Sequence, residues 1–126
     1  MKKLFVSLPT KGKIPEEIIN RMNECKEEVE EILKEEVELI DSFIKEDAPE
    51  SVNNKSLWYL SKSLEKMCDA DVVYCDSGYG QYRGCIVEFS AAIRYGIPIV
   101  ICNDIDYQGT NFRAIYQKGK WTNFIL

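Results

Sequence analysis

Two features of the sequence predict an α/β fold in which helices wind on both faces of a parallel sheet of about five strands. Short apolar segments rich in β-branched residues alternate with amphipathic segments of helical periodicity. The apolar segments are nearly continuous, which is typical of strands that are covered on both faces. The chain of 126 residues suits a single domain that spans 1–126.

The first part of the chain is predicted to contain a strand, a helix and a second strand. The segment "KLFVSL" at 3–8 is a buried first strand that ends before Pro9. Pro15 begins a helix with acids in its first turn, as the helix dipole favours. Its apolar positions recur at helical spacing: Ile18, Ile19, Met22, Cys25, Val29, Ile32 and Leu33. We interpret "VELIDSFI" at 37–44 as a strand, although the helix could continue through it because neither Gly nor Pro intervenes.

The middle of the chain is predicted to contain a helix, a strand and a loop rich in glycine. Ser56 is placed to cap a helix over 57–70. Its apolar stripe consists of Leu57, Leu60, Leu64 and Met67. The segment "DVVYCD" at 71–76 forms the third strand, and the loop at 77–84 follows it.

The last part of the chain completes the alternation. A helix at 85–95 ends at Gly96, and "IPIVICND" at 97–104 is a near-continuous apolar strand. The tail is compatible with a hairpin, or with a helix and a strand, around Lys118-Gly119.

Composition excludes several classes of function. A net charge of −5 argues against binding a nucleic-acid polymer, which requires clustered basic residues. No segment approaches the roughly 20 apolar residues of a membrane span, and the apolar N-terminal run is too short for a signal peptide. The five cysteines are odd in number and lack a CxxC pair, so we expect reduced thiols in a cytoplasmic protein. Histidine is absent, so any chemistry must use carboxylates, tyrosines, hydroxyls or thiols.

The expected position of a ligand follows from the fold class. Ligands of parallel α/β sheets bind at the carboxyl ends of strands, near the point where strand order reverses. This rule selects the loops "SLPTKGK", "DSGYGQYRG" and "NDIDYQG", which follow the first, third and fourth strands. Glu88 lies on the helix that leaves the second of these loops.

Glu88 is the central candidate, and two interpretations of it stay open. A helical wheel places Ile86, Phe89 and Ile93 on the core stripe and Glu88 beside it. Gly84, Ala91 and Ala92 leave space nearby. One interpretation is a half-exposed glutamate that is favoured at a helix start. The other is a reacting group that the helix start keeps ionised, because a carboxylate can attack an anomeric carbon without any histidine.

The segment from Trp58 to Val100 resembles the nucleoside 2-deoxyribosyltransferase-like superfamily, most closely its short phage and bacterial branch. The matching pieces are Ala70–Tyr74, Gly84-Cys85, Glu88, Ala92 and Gly96–Val100. "FVSLP" resembles the first strand and proline turn of that family, which approach the sugar and the base; this implies that Ser7, Leu8 and Pro9 line the site. The resemblance implies a flavodoxin-like (Rossmann-like) sheet, and Glu88 as the nucleophile at C1′ of a nucleoside or nucleotide.

The chain also departs from the pattern of this family. Many of its transferases carry Asp-Ser-Gly-Thr where this chain has Tyr82, Arg83, Gly84 and Cys85, so the acid that protonates or orients the base is absent. Asp76, at the end of the third strand, could replace that acid or could be an ordinary turn residue. Arg83 could clamp a phosphate or be a solvated surface arginine.

The remaining candidates each have a functional and a plain structural interpretation. Tyr79 and Tyr82 could stack on a base or pack on their own domain. Ser7 and Thr10 could bind ligand hydroxyls or form a turn. Gly78, Gly80 and Gly84 could approach the ligand through their backbone. Ser77, in the same loop, is a further binding candidate, and Cys85 is the one cysteine placed near the site.

The sequence therefore predicts an enzyme that cleaves N-glycosidic bonds of nucleosides or nucleotides by hydrolysis or sugar transfer, with Glu88 and Asp76 as catalytic residues. The alternatives are a non-catalytic nucleotide-binding module that senses or sequesters its ligand, and a partner-binding domain without a ligand. We expect no cofactor and no metal. A homo-oligomer is expected, because family members usually oligomerise and the tail "KGKWTNFIL" is aromatic and apolar.

Overall fold

The chain alternates strands and helices and then ends in two consecutive strands. The computed structural model describes residues 1–77, 79–103 and 112–125. Within them the elements are β1 (Lys2–Ser7), α1 (Pro15–Leu33), β2 (Val37–Leu39), α2 (Lys55–Met67), β3 (Val72–Cys75), α3 (Arg83–Arg94), β4 (Ile99–Asn103), β5 (Phe112–Gln117) and β6 (Lys120–Ile125). None of the helices in these ranges has the length and apolar character that crossing a bilayer requires.

The described strands form one sheet of six in the order β2-β1-β3-β4-β5-β6. Neighbouring strands are parallel from β2 to β4, while β5 and β6 are antiparallel. The predicted α/β class is confirmed, but an all-parallel sheet of about five strands is wrong. The segment between β4 and β5 is shorter than the dozen or so residues that a parallel crossover needs, so β5 returns beside β4 in the opposite direction.

The tail forms the hairpin that was one of its two predicted structures. Lys118 and Gly119 join β5 to β6 with φ values of 52° and 76°. Two consecutive residues with positive φ give the turn whose twist matches that of paired strands. Phe124 packs against the core, and Trp121 contacts Tyr116 while remaining 46% exposed.

The core consists of two layers, one on each face of the sheet. The first layer joins α1 to the strand side chains that point towards it, including Leu4, Val6, Val72 and Tyr74. The second layer joins α2 and α3 to Phe5, Val73, Cys75 and Ile99. Because side chains alternate along a strand, odd-numbered positions of β1 and β3 face α3 and even-numbered ones face α1.

Lys34 separates α1 from β2. Its φ of 58° is left-handed, which ends the helix although neither Gly nor Pro is present. The predicted strand over 37–44 is therefore real but much shorter. Only Val37–Leu39 pair with β1, and one further backbone bond joins Ile40 to Leu4.

The side of α3 that faces the sheet differs from the prediction. Its buried residues are Cys85, Glu88 and Ala92. Ile86, which was placed on the core stripe, is 46% exposed. Phe89 and Ile93, which were placed on the same stripe, pack against the second layer of the core as predicted, so the prediction is wrong for Ile86 and not for the whole stripe.

At α2, Asn54 is the capping residue in place of Ser56. Its side chain accepts a hydrogen bond from the Leu57 amide at 2.9 Å. Leu57, predicted to belong to the apolar stripe, is 59% exposed.

Candidate functional site

Glu88 lies in the second turn of α3, on the side that faces the sheet. Its exposed fraction is only 7%. Carboxylates are almost never this buried without a partner. The interpretation of Glu88 as a half-exposed charge at a helix start is therefore wrong.

The partner of Glu88 is Ser7, the last residue of β1. The Ser7 hydroxyl donates a hydrogen bond of 2.9 Å to Oε1 of Glu88. Strand alternation turns Ser7, like Phe5, towards α3, and the register places Ser7 beside Cys75 at the end of β3. The contact thus joins α3 to the carboxyl ends of β1 and β3.

The two carboxylate oxygens of Glu88 have different environments. No described residue donates a hydrogen bond to Oε2. Within the described ranges, every side-chain oxygen or nitrogen that is sealed from solvent has a partner, so Oε2 keeps some contact with solvent. Ser7 therefore holds one oxygen, and no described residue binds the other.

Burial raises the pKa of Glu88 to about 7, and the hydrogen bond from Ser7 offsets only part of that rise. The expectation that the helix start keeps Glu88 ionised is wrong in this respect. Desolvation outweighs the helix dipole at this depth, since the dipole acts mainly within the first turn. Near neutral pH the carboxyl group exchanges between its acid and its carboxylate form.

Asp76 follows β3 and turns to the opposite face of the sheet. Arg21 of α1 binds it through two parallel contacts, from Nε to Oδ2 and from Nη2 to Oδ1, both at 2.8 Å. Burial alone would raise the pKa of Asp76, but the donors of Arg21 and the Ser77 amide lower it below its usual value. An ionised aspartate accepts hydrogen bonds and does not donate a proton, so this geometry does not support Asp76 as the acid that protonates a base.

A second charge cluster adjoins this pair and was missed by the sequence analysis. Glu28 of α1 accepts hydrogen bonds from Nη2 of Arg113 at 2.8 Å and from Nε of Arg113 at 3.0 Å. It also accepts a hydrogen bond from the Tyr74 hydroxyl. The donors overcome burial and lower the pKa of Glu28. Arg113 in the apolar run "FRAIY" could have signalled this cluster, because a charge inside a buried strand requires a partner.

The other predicted ligand residues divide by burial. Leu8 and Pro9 are buried, and Leu8 belongs to the core on the α1 side. The exposed ones are Thr10, Ser77, Tyr82 and Arg83. Gly78 lies outside the described residues, as does nearly all of the loop after β4. Tyr79 stacks on Phe89 with ring centroids 5.1 Å apart, which matches the interpretation that it packs on its own domain.

The small residues around Glu88 serve packing between elements. A methyl group added to Gly84 would lie 3.9 Å from Cδ1 of Leu60, in ordinary contact with α2. Ala92 is fully buried against the sheet. Cys85, one turn before Glu88, is buried, and this burial raises the pKa of its thiol despite the nearby Ser7 hydroxyl.

Two surface depressions lie away from Glu88. One of about 500 Å³ is lined by Met1, Lys26, Glu30, Glu35, Glu36 and Val37. The other, of about 400 Å³, lies between the segment 41–46 and α2. Charged surface side chains dominate both linings, and neither has the apolar character of a typical small-molecule site. In the described part of the chain no group of three or more acids and cysteines is placed to hold a metal ion.

Comparisons with known proteins bear on the fold alone. No protein-family model matches the sequence, and no curated protein matches it either. A conserved protein from Enterococcus faecalis V583, known from its crystal structure, superposes with a TM-score of 0.55 at 16% identity, over 83% of this chain. The chain spans 65% of the length of that protein. The similarity supports a shared α/β architecture.

Proposed function

We propose that this protein cleaves the N-glycosidic bond of a nucleoside or nucleotide, with Glu88 as the nucleophile. The observation that carries the proposal is the asymmetry of its carboxylate: Ser7 holds Oε1, while no described residue donates a hydrogen bond to Oε2. The group lies where the carboxyl ends of β1 and β3 meet. In the sheet β2 lies on one side of β1 and β3 lies on the other, so the strand order reverses between β1 and β3. Parallel α/β sheets bind ligands at such a point.

The reaction divides into two displacements. Ionised Oε2 of Glu88 attacks C1′, the C1′–N bond breaks, and its electron pair leaves with the base, which takes its proton from water. Water then attacks C1′ of the glycosyl ester, the C1′–Oε2 bond breaks, and the carboxylate is restored. The proton that the attacking water loses combines with the hydroxide that was formed when the base was protonated. The net reaction adds one water molecule and gives a free base and a free sugar. If an acceptor base attacked the glycosyl ester in place of water, the sugar would be transferred to that base.

Hydrolysis is the form of the reaction that these residues favour. Asp76 is ionised through its pair with Arg21, and Tyr82-Arg83 replace the acid of the related transferases.

We also infer that the parallel part of the sheet is flavodoxin-like, because its strand order 2-1-3-4 is the one found in that fold. This inference agrees with the resemblance to the nucleoside 2-deoxyribosyltransferase-like superfamily.

The test is release of free base from a mixed pool of nucleosides and nucleotides, followed by chromatography. We expect Glu88→Gln to abolish release, because an amide cannot form the ester, while its shape preserves the fold. Glu31→Gln, on the exposed side of α1, is the matched control and should retain full activity. Base release by Glu88→Gln at the wild-type rate would refute the proposal.

A non-catalytic nucleotide-binding module is the second candidate. The near-complete burial of Glu88 and the absence of an acid at Tyr82-Arg83 favour binding without turnover. Calorimetry with a panel of nucleotides separates the two functions. Tight binding without any base release supports the module, and turnover eliminates it.

Two further expectations remain predictions, namely a cytoplasmic protein and a homo-oligomer. The exposed Trp121 on β6 suits a contact between copies. Light scattering at micromolar concentration should give a mass above that of one chain; a monomeric mass would contradict the expected oligomer.

A further inference from the structure

We propose that Ser7 is a positioning residue, whose hydroxyl holds Oε1 of Glu88 so that Oε2 is the oxygen that attacks. This role rests on the proposed function. It replaces the expectation that Ser7 binds a ligand hydroxyl, because Ser7 is only 1% exposed and its donor is committed to Glu88.

The backbone around Ser7 gives this hydroxyl a rigid base. Ser7 pairs with Cys75 in the parallel ladder, and its carbonyl accepts the Asp76 amide at 2.9 Å. The central strand β1 lies between β2 and β3. A donor on such a strand is placed more accurately than one on a loop, and nucleophilic attack requires accurate placement of the reacting atoms.

The electrostatic surroundings make Ser7 the dominant polar influence on Glu88. Besides burial, the Ser7 hydrogen bond is the cause within the described part of the chain that acts on the pKa of this carboxyl group. Among the described residues, the titratable groups beside it are the thiols of Cys75 on β3 and Cys85 on α3, both protonated at neutral pH because burial raises their pKa values. Asp76 and Lys13 act on Cys85 with opposite signs.

The first measurement follows the titration of Glu88 without any ligand. Carboxyl carbon NMR of glutamate-labelled protein, with Glu88→Gln to assign the signal, gives the midpoint directly. Ser7→Ala removes the donor to the carboxylate and should raise the midpoint by about one pH unit. Ser7→Thr keeps a hydroxyl and should restore it, and Ser61→Ala, on the exposed side of α2, should leave it unchanged.

The second measurement divides the kinetic effect between binding and chemistry. A residue that positions the nucleophile without touching the ligand affects kcat. We therefore expect Ser7→Ala to lower kcat by about 10- to 100-fold with KM unchanged within about twofold. A raised KM at unchanged kcat would mean that Ser7 binds the ligand, and it would overturn the proposal.

The positioning role of Ser7 and the proposed function would be refuted by different results. An unchanged Glu88 midpoint in folded Ser7→Ala overturns the positioning role, whether or not the wild type releases base. A shifted midpoint in a protein whose wild type releases no base refutes the proposed function, and with it a positioning role in catalysis.

Discussion

Replacing Glu88 by Gln should stabilise the protein at neutral and alkaline pH while removing any activity. The pKa of Glu88 rises from 4.5 to about 7 on folding because the carboxyl group is buried. Between these values the unfolded chain is ionised while the native state keeps its proton, so the free energy of unfolding falls as pH rises. A difference of about 2.5 pH units corresponds to about 3 kcal/mol, because one unit corresponds to about 1.4 kcal/mol.

The glutamine variant avoids this loss because it resembles protonated Glu88 at every pH. Urea unfolding, followed by tryptophan fluorescence, should give nearly equal free energies of unfolding for both proteins at pH 4.5. At pH 8 the variant should be more stable by about 3 kcal/mol. The increase should develop mainly between pH 4.5 and 7. Glu31→Gln, on the exposed side of α1, is the control for the substitution itself. Equal stability of Glu88→Gln and wild type across this range would show that the carboxyl group is not buried as described, and would refute the reasoning.

Three other perturbations test different parts of the structure. Lys34→Gly should raise the free energy of unfolding by about 1 kcal/mol in urea, because glycine adopts the φ of 58° without strain; Lys34→Ala should give no gain. Arg113→Met should lower the free energy of unfolding by about 3 kcal/mol, because Glu28 loses the positive charge that is closest to it. Adding Glu28→Met should recover most of that loss. A double variant as unstable as Arg113→Met alone would contradict the pairing. Because Asp76 donates no proton, the leaving base of an unmodified nucleoside departs as an anion. The base of a purine nucleoside alkylated at N7 leaves as a neutral molecule, so this nucleoside should be cleaved much faster. Equal rates of base release would indicate a proton donor.

Local sequence patterns predicted the helices well where one face is clearly apolar. In α1, Ile18, Met22, Cys25, Val29 and Ile32 are buried as expected, because a strong 3.6-residue period determines the face. Ile19, which was predicted on the same face, is 49% exposed. In α3 the pattern was ambiguous. Ile86 and Val87 are exposed while Glu88 is buried, which no hydrophobicity scale would select.

The partners of charged groups could not be read from the sequence. Arg21 and Asp76 are 55 positions apart, and Ser7 and Glu88 are 81 positions apart. Their contacts depend on strand order and on which way each side chain alternates. A register shift of one residue would turn Ser7 to the α1 face and separate it from Glu88.

The sequence by itself determined the α/β class and the order of most elements, and it singled out Glu88 as a candidate, because periodicity and residue type are local properties. Only the tertiary structure decided that Glu88 is buried and held by Ser7, and that ionised Asp76 forms an ion pair with Arg21. These outcomes depend on desolvation and on pairing between distant segments, and both arise only when the strands have assembled into a sheet.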